Sequence, residues 1–128
     1  MKVAIIYSSK TGNTEKIAQE IKKQIPKEDL VFFGKPTEIV PQADLYFLGS
    51  FTDKGNASKE MLSFLPKIKQ KQVAYFATAG YGGSKEYYQT LFERVKKQIN
   101  SSNQILGYFY CQGKMPLQVK ERYLFFFF

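Results

Sequence analysis

The 128-residue sequence has no histidine and a single cysteine, Cys111. Without histidine, the commonest general base and the commonest metal ligand are both missing, and no metal site is expected. One cysteine permits neither a disulfide framework nor a thiolate cluster. Cys111 reads as a small buried hydrophobe, not a reactive thiol. Long apolar runs are lacking too. None approaches the roughly 20 residues that span a bilayer, so no membrane role is expected, and "VAIIY" is interrupted at Ser8 before it could form the core of a signal peptide. Together these absences predict a reducing, cytoplasmic setting. Acidic residues are few: 11 Asp plus Glu stand against 19 Lys plus Arg, a formal net charge of +8. Such a balance attracts anions. The lysines are nevertheless spread over presumed helix faces, as at Lys16, Lys22 and Lys23 or Lys96 and Lys97, and read as solvated surface. No RNA-binding aromatic signature or zinc-finger spacing is present, so a nucleic-acid partner is not expected.

Apolar material is plentiful. Hydrophobic residues at 44% and aromatics at 16% suffice for one sizeable core in a single domain spanning 1–128. Five short runs are nearly continuous in apolar residues: Val3–Tyr7, Leu30–Phe33, Leu45–Leu48, Val73–Ala77 and Ile105–Tyr110. Continuity rather than alternation signals burial on both faces, as in a parallel sheet between helices. Helical stripes lie between them. Ile17, Ala18, Ile21 and Ile25 form the first, closed by Pro26. Met61, Leu62, Leu65 and Ile68 form the second, behind a Ser58 N-cap and with Pro66 to end or kink it. Tyr87, Tyr88, Leu91, Phe92, Val95 and Ile99 form the third, with Ser84 as cap. These stripes read as core-facing. The segment "GKPTEIVPQA" between the second and third runs has room for one helical turn or none. The expected fold class is α/β, an open doubly wound parallel sheet, in which ligands bind outside the carboxyl ends of the strands.

Three loops follow those carboxyl ends. The first, "SSKTGNT" (Ser8–Thr14), contains hydroxyls at Ser9, Thr11 and Thr14, an amide at Asn13 and no carboxylate. With Gly12 allowing close backbone approach and a helix N-terminus following, it could hold a phosphate without a cation. It could equally be a capped turn with no ligand. It is neither a dinucleotide fingerprint nor a Walker loop. The second, "GSFTDKGNAS", contains Ser50, Phe51, Thr52 and Gly55. Phe51 is an apolar plate for a planar ring, and Gly55 would let a peptide change orientation. Asp53 and Lys54 fit ordinary turn residues. The third, "TAGYGGS", holds Thr78, Ala79, Gly80, Tyr81, Gly82 and Gly83. Its glycines allow tight backbone approach around one ring, or form a plain glycine-rich turn.

Ser9-Lys10-Thr11-Gly12-Asn13-Thr14 resembles the phosphate loop of the flavodoxin family, [ST]-x-T-G-x-T after the first strand. The resemblance covers residues 1 to about 112. It implies a five-stranded flavodoxin-like sheet in the order 2-1-3-4-5, with FMN as cofactor and its phosphate in the first loop. It also implies a Gly55 peptide facing flavin N5, with Phe51 and Tyr81 beside the ring. The remaining implied binding residues are Ser9, Lys10, Thr11, Gly12, Asn13, Thr14, Ser50, Thr52, Thr78, Ala79, Gly80, Gly82 and Gly83, and no catalytic residue is implied. The wording "FTDKG", "TAGYGGS" and "CQGKMP" is similar to short flavodoxin-like proteins of anaerobic low-GC bacteria, some of which accompany a bilirubin-reducing enzyme.

Two features depart from the family pattern. Flavodoxins are typically acidic, and a chain at +8 should give a less negative potential for the fully reduced flavin. The tail, 113–128, ends on Phe125–Phe128 where a final helix is usual. It therefore reads as atypical or truncated, with a homodimer through the uncovered sheet face as one consequence. The expected function is an electron carrier working with a reductase and an acceptor enzyme. The alternatives are a flavin-dependent reductase of quinones or other small acceptors, and an FMN-free binding module on the same fold. A phosphoacceptor receiver domain is set aside, because it needs acidic residues where Ser8–Thr14 has none.

Overall fold

The first strand, β1 (Val3–Ser8), divides the core in two by the period-two alternation of its side chains. Val3, Ile5 and Tyr7 join one apolar cluster, Ala4 and Ile6 the other. The computed structural model describes residues 1–80 and 84–113. Tyr81, Gly82, Gly83 and residues 114–128 of the tail lie outside that description, so the expectations placed on them are not addressed. Helix α1 (Asn13–Gln24) covers the first cluster with Ile17, Ala18 and Ile21, all completely buried. Each such side chain contributes about 1.5–3 kcal/mol by leaving water. The helix ends where expected: Ile25 is already extended, as a residue before proline prefers to be.

The remaining elements are β2 (Leu30–Gly34), β3 (Leu45–Asp53), a two-residue strand β4 (Asn56–Ala57), α2 (Lys59–Phe64), β5 (Gln72–Ala79), α3 (Lys85–Lys96) and β6 (Gln104–Gln112). The second cluster packs Met61 and Phe64 of α2 and Leu91, Phe92 and Val95 of α3 against the opposite sheet face. Pro66 ends α2 in a 3-10 turn, Leu65–Lys67, because proline cannot continue the hydrogen-bond ladder. Strand order is β2-β1-β3-β5-β6, every neighbouring pair parallel. The five long strands thus take the expected 2-1-3-4-5 arrangement, with β4 as an addition hydrogen-bonded to the end of β3.

Three boundaries differ from the sequence reading. Strand β3 runs to Asp53, so the segment after Leu48 is a strand and hairpin, not a loop. Lys54 and Gly55 both have positive φ, 52° and 80°, the combination that a tight two-residue hairpin requires. Strand β5 likewise absorbs Thr78 and Ala79. On α3, Tyr87 is 38% exposed. Its neighbour Tyr88 is partly buried and stacks on Tyr110 of β6 with ring centroids 5.5 Å apart, and the fully buried stripe of that helix begins at Leu91.

Candidate functional site

The parallel register sets Ser8 of β1 beside Ser50 of β3, Ser50 beside Ala77 of β5, and Phe51 beside Thr78. The ends of the three central strands therefore lie abreast, and the turns that leave them share one edge of the sheet. Strand order reverses between β1 and β3, which is the switch point where such sheets leave a crevice.

Ser9 organises the first turn. Its Oγ accepts the N–H of Gly12 at 3.1 Å and of Glu15 at 3.4 Å. Gly12, at the N-cap of α1, has no side chain to cap with, so Ser9 does so from three residues upstream. Gly12 sits at φ 92°, and a Cβ there would meet nothing within 4 Å. The left-handed backbone, not crowding, is what demands glycine. Thr11 and Lys10 are exposed, and the Asn13 amide donates to Thr11 Oγ1 at 3.3 Å. Thr14 is only 1% exposed. Its hydroxyl pairs at 3.0 Å with that of Thr78, lashing the first turn of α1 to the end of β5. The first-turn N–H groups of α1 have no partner within the helix and lie at its positive end.

A buried chain of hydroxyls supports this edge from below. Ser58 Oγ donates to Ser8 Oγ at 2.8 Å and accepts the N–H of Met61 at 3.2 Å, so one side chain caps α2 and ties it to β1. The Ser58 N–H donates to Ser50 Oγ at 2.8 Å, and Ser50 in turn donates to the Phe51 carbonyl at 2.7 Å. Tyr75 packs beside Tyr110, with ring centroids 6.0 Å apart. Burial raises the Tyr75 phenol well above its ordinary value and raises Tyr110 as well. Cys111, abreast of Thr78, is pushed up to about 11 by burial, so it stays a thiol at neutral pH. That agrees with its reading as a packed hydrophobe.

The hairpin tip is held from the side. Arg94 of α3 donates from Nη1 to the Gly55 carbonyl at 3.3 Å, and a Cβ on Gly55 would come within 2.4 Å of that nitrogen. Below the hairpin a cleft opens, lined by Ser8, Ser9, Lys10, Lys35, Phe51 and Lys59 among others. Ser9 and Lys10 are thus brought beside Phe51. Ser50, Thr52, Thr78 and Ala79 belong to the strand ends behind them. Gly55 stands apart at the hairpin tip, and Gly80 is open to solvent with nothing within 4 Å of a Cβ. Sequence reasoning missed Lys35, Lys59 and Arg94, which lie far apart along the chain. The rule that ligands gather at carboxyl ends would have indicated the first two, which follow β2 and the β3–β4 hairpin. Among the described residues no group of three His, Cys, Asp or Glu side chains could hold a metal ion. No helix among them is long and apolar enough to cross a membrane.

A parallel sheet with this order, and a hydroxyl-rich, carboxylate-free turn at the N-terminus of its first helix, defines a flavodoxin-like domain. The chain matches the flavodoxin domain family over residues 4–126, and it belongs to that family. It is 37% identical over 130 residues to the flavodoxin-like domain-containing protein BilS of Clostridioides difficile (strain CD3), covering 96% of this chain and 72% of that protein. Among solved structures, the flavodoxin of Streptococcus pneumoniae TIGR4 superposes with a TM-score of 0.73 at 19% identity, covering 98% and 94% of the two chains. A flavoprotein from Lactobacillus acidophilus NCFM, solved in complex with FMN, superposes with a TM-score of 0.64 at 20% identity, covering 86% and 93%.

Proposed function

We propose that this chain binds FMN at the shared strand edge and carries electrons between a reductase and an acceptor enzyme. The observation that carries this reading is the Ser9-organised turn, with left-handed Gly12 at the N-terminus of α1. Its donor set suits a phosphate dianion: the exposed Thr11 hydroxyl, the Asn13 amide, the backbone N–H groups of Asn13 and Thr14, and no carboxylate between Ser8 and Thr14. Thr14 serves by holding the turn against β5, since its buried hydroxyl is already paired with Thr78. Phe51 is half-buried at the cleft and gives a planar ring an apolar wall. When bound, FMN supplies one- and two-electron transfer, and the protein's part is to hold and tune it. No general base or nucleophile is required, which suits a chain without histidine and with a protonated Cys111. The family relationship and the FMN complex of the Lactobacillus flavoprotein support the same cofactor. A bilirubin-reducing enzyme, of the kind that accompanies similar proteins, is the acceptor to assay first.

The variant Thr11→Val tests the phosphate assignment. Loss of one hydrogen bond to a charged group costs about 1.5–3 kcal/mol, so FMN affinity should fall roughly tenfold to a hundredfold. Affinity for riboflavin, which lacks the phosphate, should barely change. Equal losses for both ligands would contradict the assignment.

A further inference from the structure

The mouth of the cleft is basic. Lys10, Lys35 and Lys59 line it, each exposed, and Lys54 is exposed at the adjoining hairpin tip. Asp53 and Glu60 are the carboxylates on the same lining. Among the described residues, none of these six side chains forms an ion pair, so the lysines are not neutralised by contact. The four lysines come from separate parts of the chain: the turn after β1, the segment after β2, the β3–β4 hairpin tip and the first residue of α2. The topology thus concentrates at one edge a charge that is scattered in the sequence. Ser9 and Lys10 of the turn that leads into α1 lie on the same lining, and the whole chain carries +8. Fields from such an arrangement add at a concave mouth and steer oppositely charged partners.

We propose that this rim is a docking surface for a redox protein whose own contact face is rich in carboxylates. The inference rests on the FMN reading above for the identity of the traffic, but not for the sign of the surface. A carboxylate-rich face meeting Lys35, Lys54 and Lys59 brings its redox centre over Phe51 and the first turn, where electrons leave or enter. Lys10 does double duty, bordering both this rim and the phosphate turn. Electrostatic complementarity of this kind acts mainly on the association rate, and salt weakens it.

Two measurements test it, and neither alters the phosphate turn. In the ligand-free protein, an anionic and a cationic nitroxide are compared as relaxation agents for backbone amides. The anionic agent should broaden the amides of Ser9, Phe51 and Lys59 several-fold more than the cationic one. The double variant Lys35→Glu/Lys59→Glu should abolish or reverse that contrast. Equal broadening by both agents, or a contrast unchanged in the variant, overturns the proposal whether or not FMN binds.

In the FMN-loaded, dithionite-reduced protein, an acidic b-type cytochrome and the basic c-type cytochrome serve as acceptors. Two electrons pass from the reduced flavin to two ferric haems, which become ferrous, and the flavin proton goes to solvent. The rate to the acidic acceptor should fall roughly three- to tenfold between about 20 and about 300 mM salt, while that to the basic acceptor rises or stays level. The double variant, held saturated with FMN by excess cofactor, should exchange the two salt responses. The opposite salt dependence overturns the docking assignment. Failure to load FMN, with the nitroxide contrast intact, overturns the electron-carrier reading and with it the nature of the partner, leaving only a basic surface.

Discussion

A β-carbon added to Gly49 would lie 2.1 Å from Cε2 of Phe76, a ring with no exposed surface in the middle of the sheet. Overpacking of this kind costs typically 1–3 kcal/mol and occasionally more. Gly49→Ala should therefore lower the urea midpoint by at least that equivalent, and an unchanged midpoint would show that β3 and β5 can part locally. Ser58 is the second residue on which much depends, because its side chain caps α2 and bonds Ser8 while its N–H bonds Ser50. Ser58→Ala removes a cap and leaves the buried Ser8 hydroxyl short of a partner. A loss of about 1–3 kcal/mol in chemical denaturation is expected. The cap itself was legible in the sequence from its place before Met61 and Leu62. Its bond to Ser8, 50 residues away, was not, because it takes both the pairing of β1 with β3 and the turn back of the β3–β4 hairpin to bring the two serines together.

At the scale of elements, the β3–β4 hairpin shows where sequence reading was incomplete. "DKGN" is a recognisable hairpin turn, yet the surrounding "GSFT" and "NAS" lack the alternating apolar pattern that announces strands. The pairing of Thr52 with Ala57 and of Asp53 with Asn56 follows from the geometry of the turn more than from side-chain preference. Arg94 was equally hidden, since on α3 it reads as one more exposed cation. Its bond to the Gly55 carbonyl predicts that Arg94→Ala frees the tip. Amide hydrogen exchange at Gly55 and Asn56 should accelerate several-fold while α1 and β5 keep their protection. Uniform acceleration would mean a global loss of stability, and no acceleration would mean that the bond contributes nothing. By contrast, β1, α1 and the turn between them were plain in the sequence. Their apolar run, stripe, glycine and closing proline are all local signals, and they agree.

For the whole molecule, the buried acids govern the response to alkali. The Cys111 thiol is raised to about 11, and the Tyr75 and Tyr110 phenols are raised also. Above pH 9 the unfolded chain releases these protons while the folded chain still holds them. The unfolded state then binds fewer protons, so stability falls as pH rises. Stability should be level from pH 7 to about 9 and decline steeply through 11, as followed by thermal melts. A stability that rises across that range would contradict the burial of these groups. The net charge of +8 has a second consequence at this scale. The two-electron potential of the loaded protein, measured by dye equilibration, should become more negative as added salt screens the positive field. Charge was read from the sequence at once, but its gathering at one edge was not, because chain order and strand order differ.

The central proposal is that the turn from Ser9 to Thr14 holds the phosphate of FMN. The most direct measurement is equilibrium titration of the unmodified, ligand-free protein with FMN and, separately, with riboflavin, followed by quenching of flavin fluorescence. FMN should bind at one site, at least tenfold more tightly than riboflavin, and inorganic phosphate should compete with FMN while leaving riboflavin binding undiminished. Equal affinities for the two flavins, or no binding of either, would contradict the account.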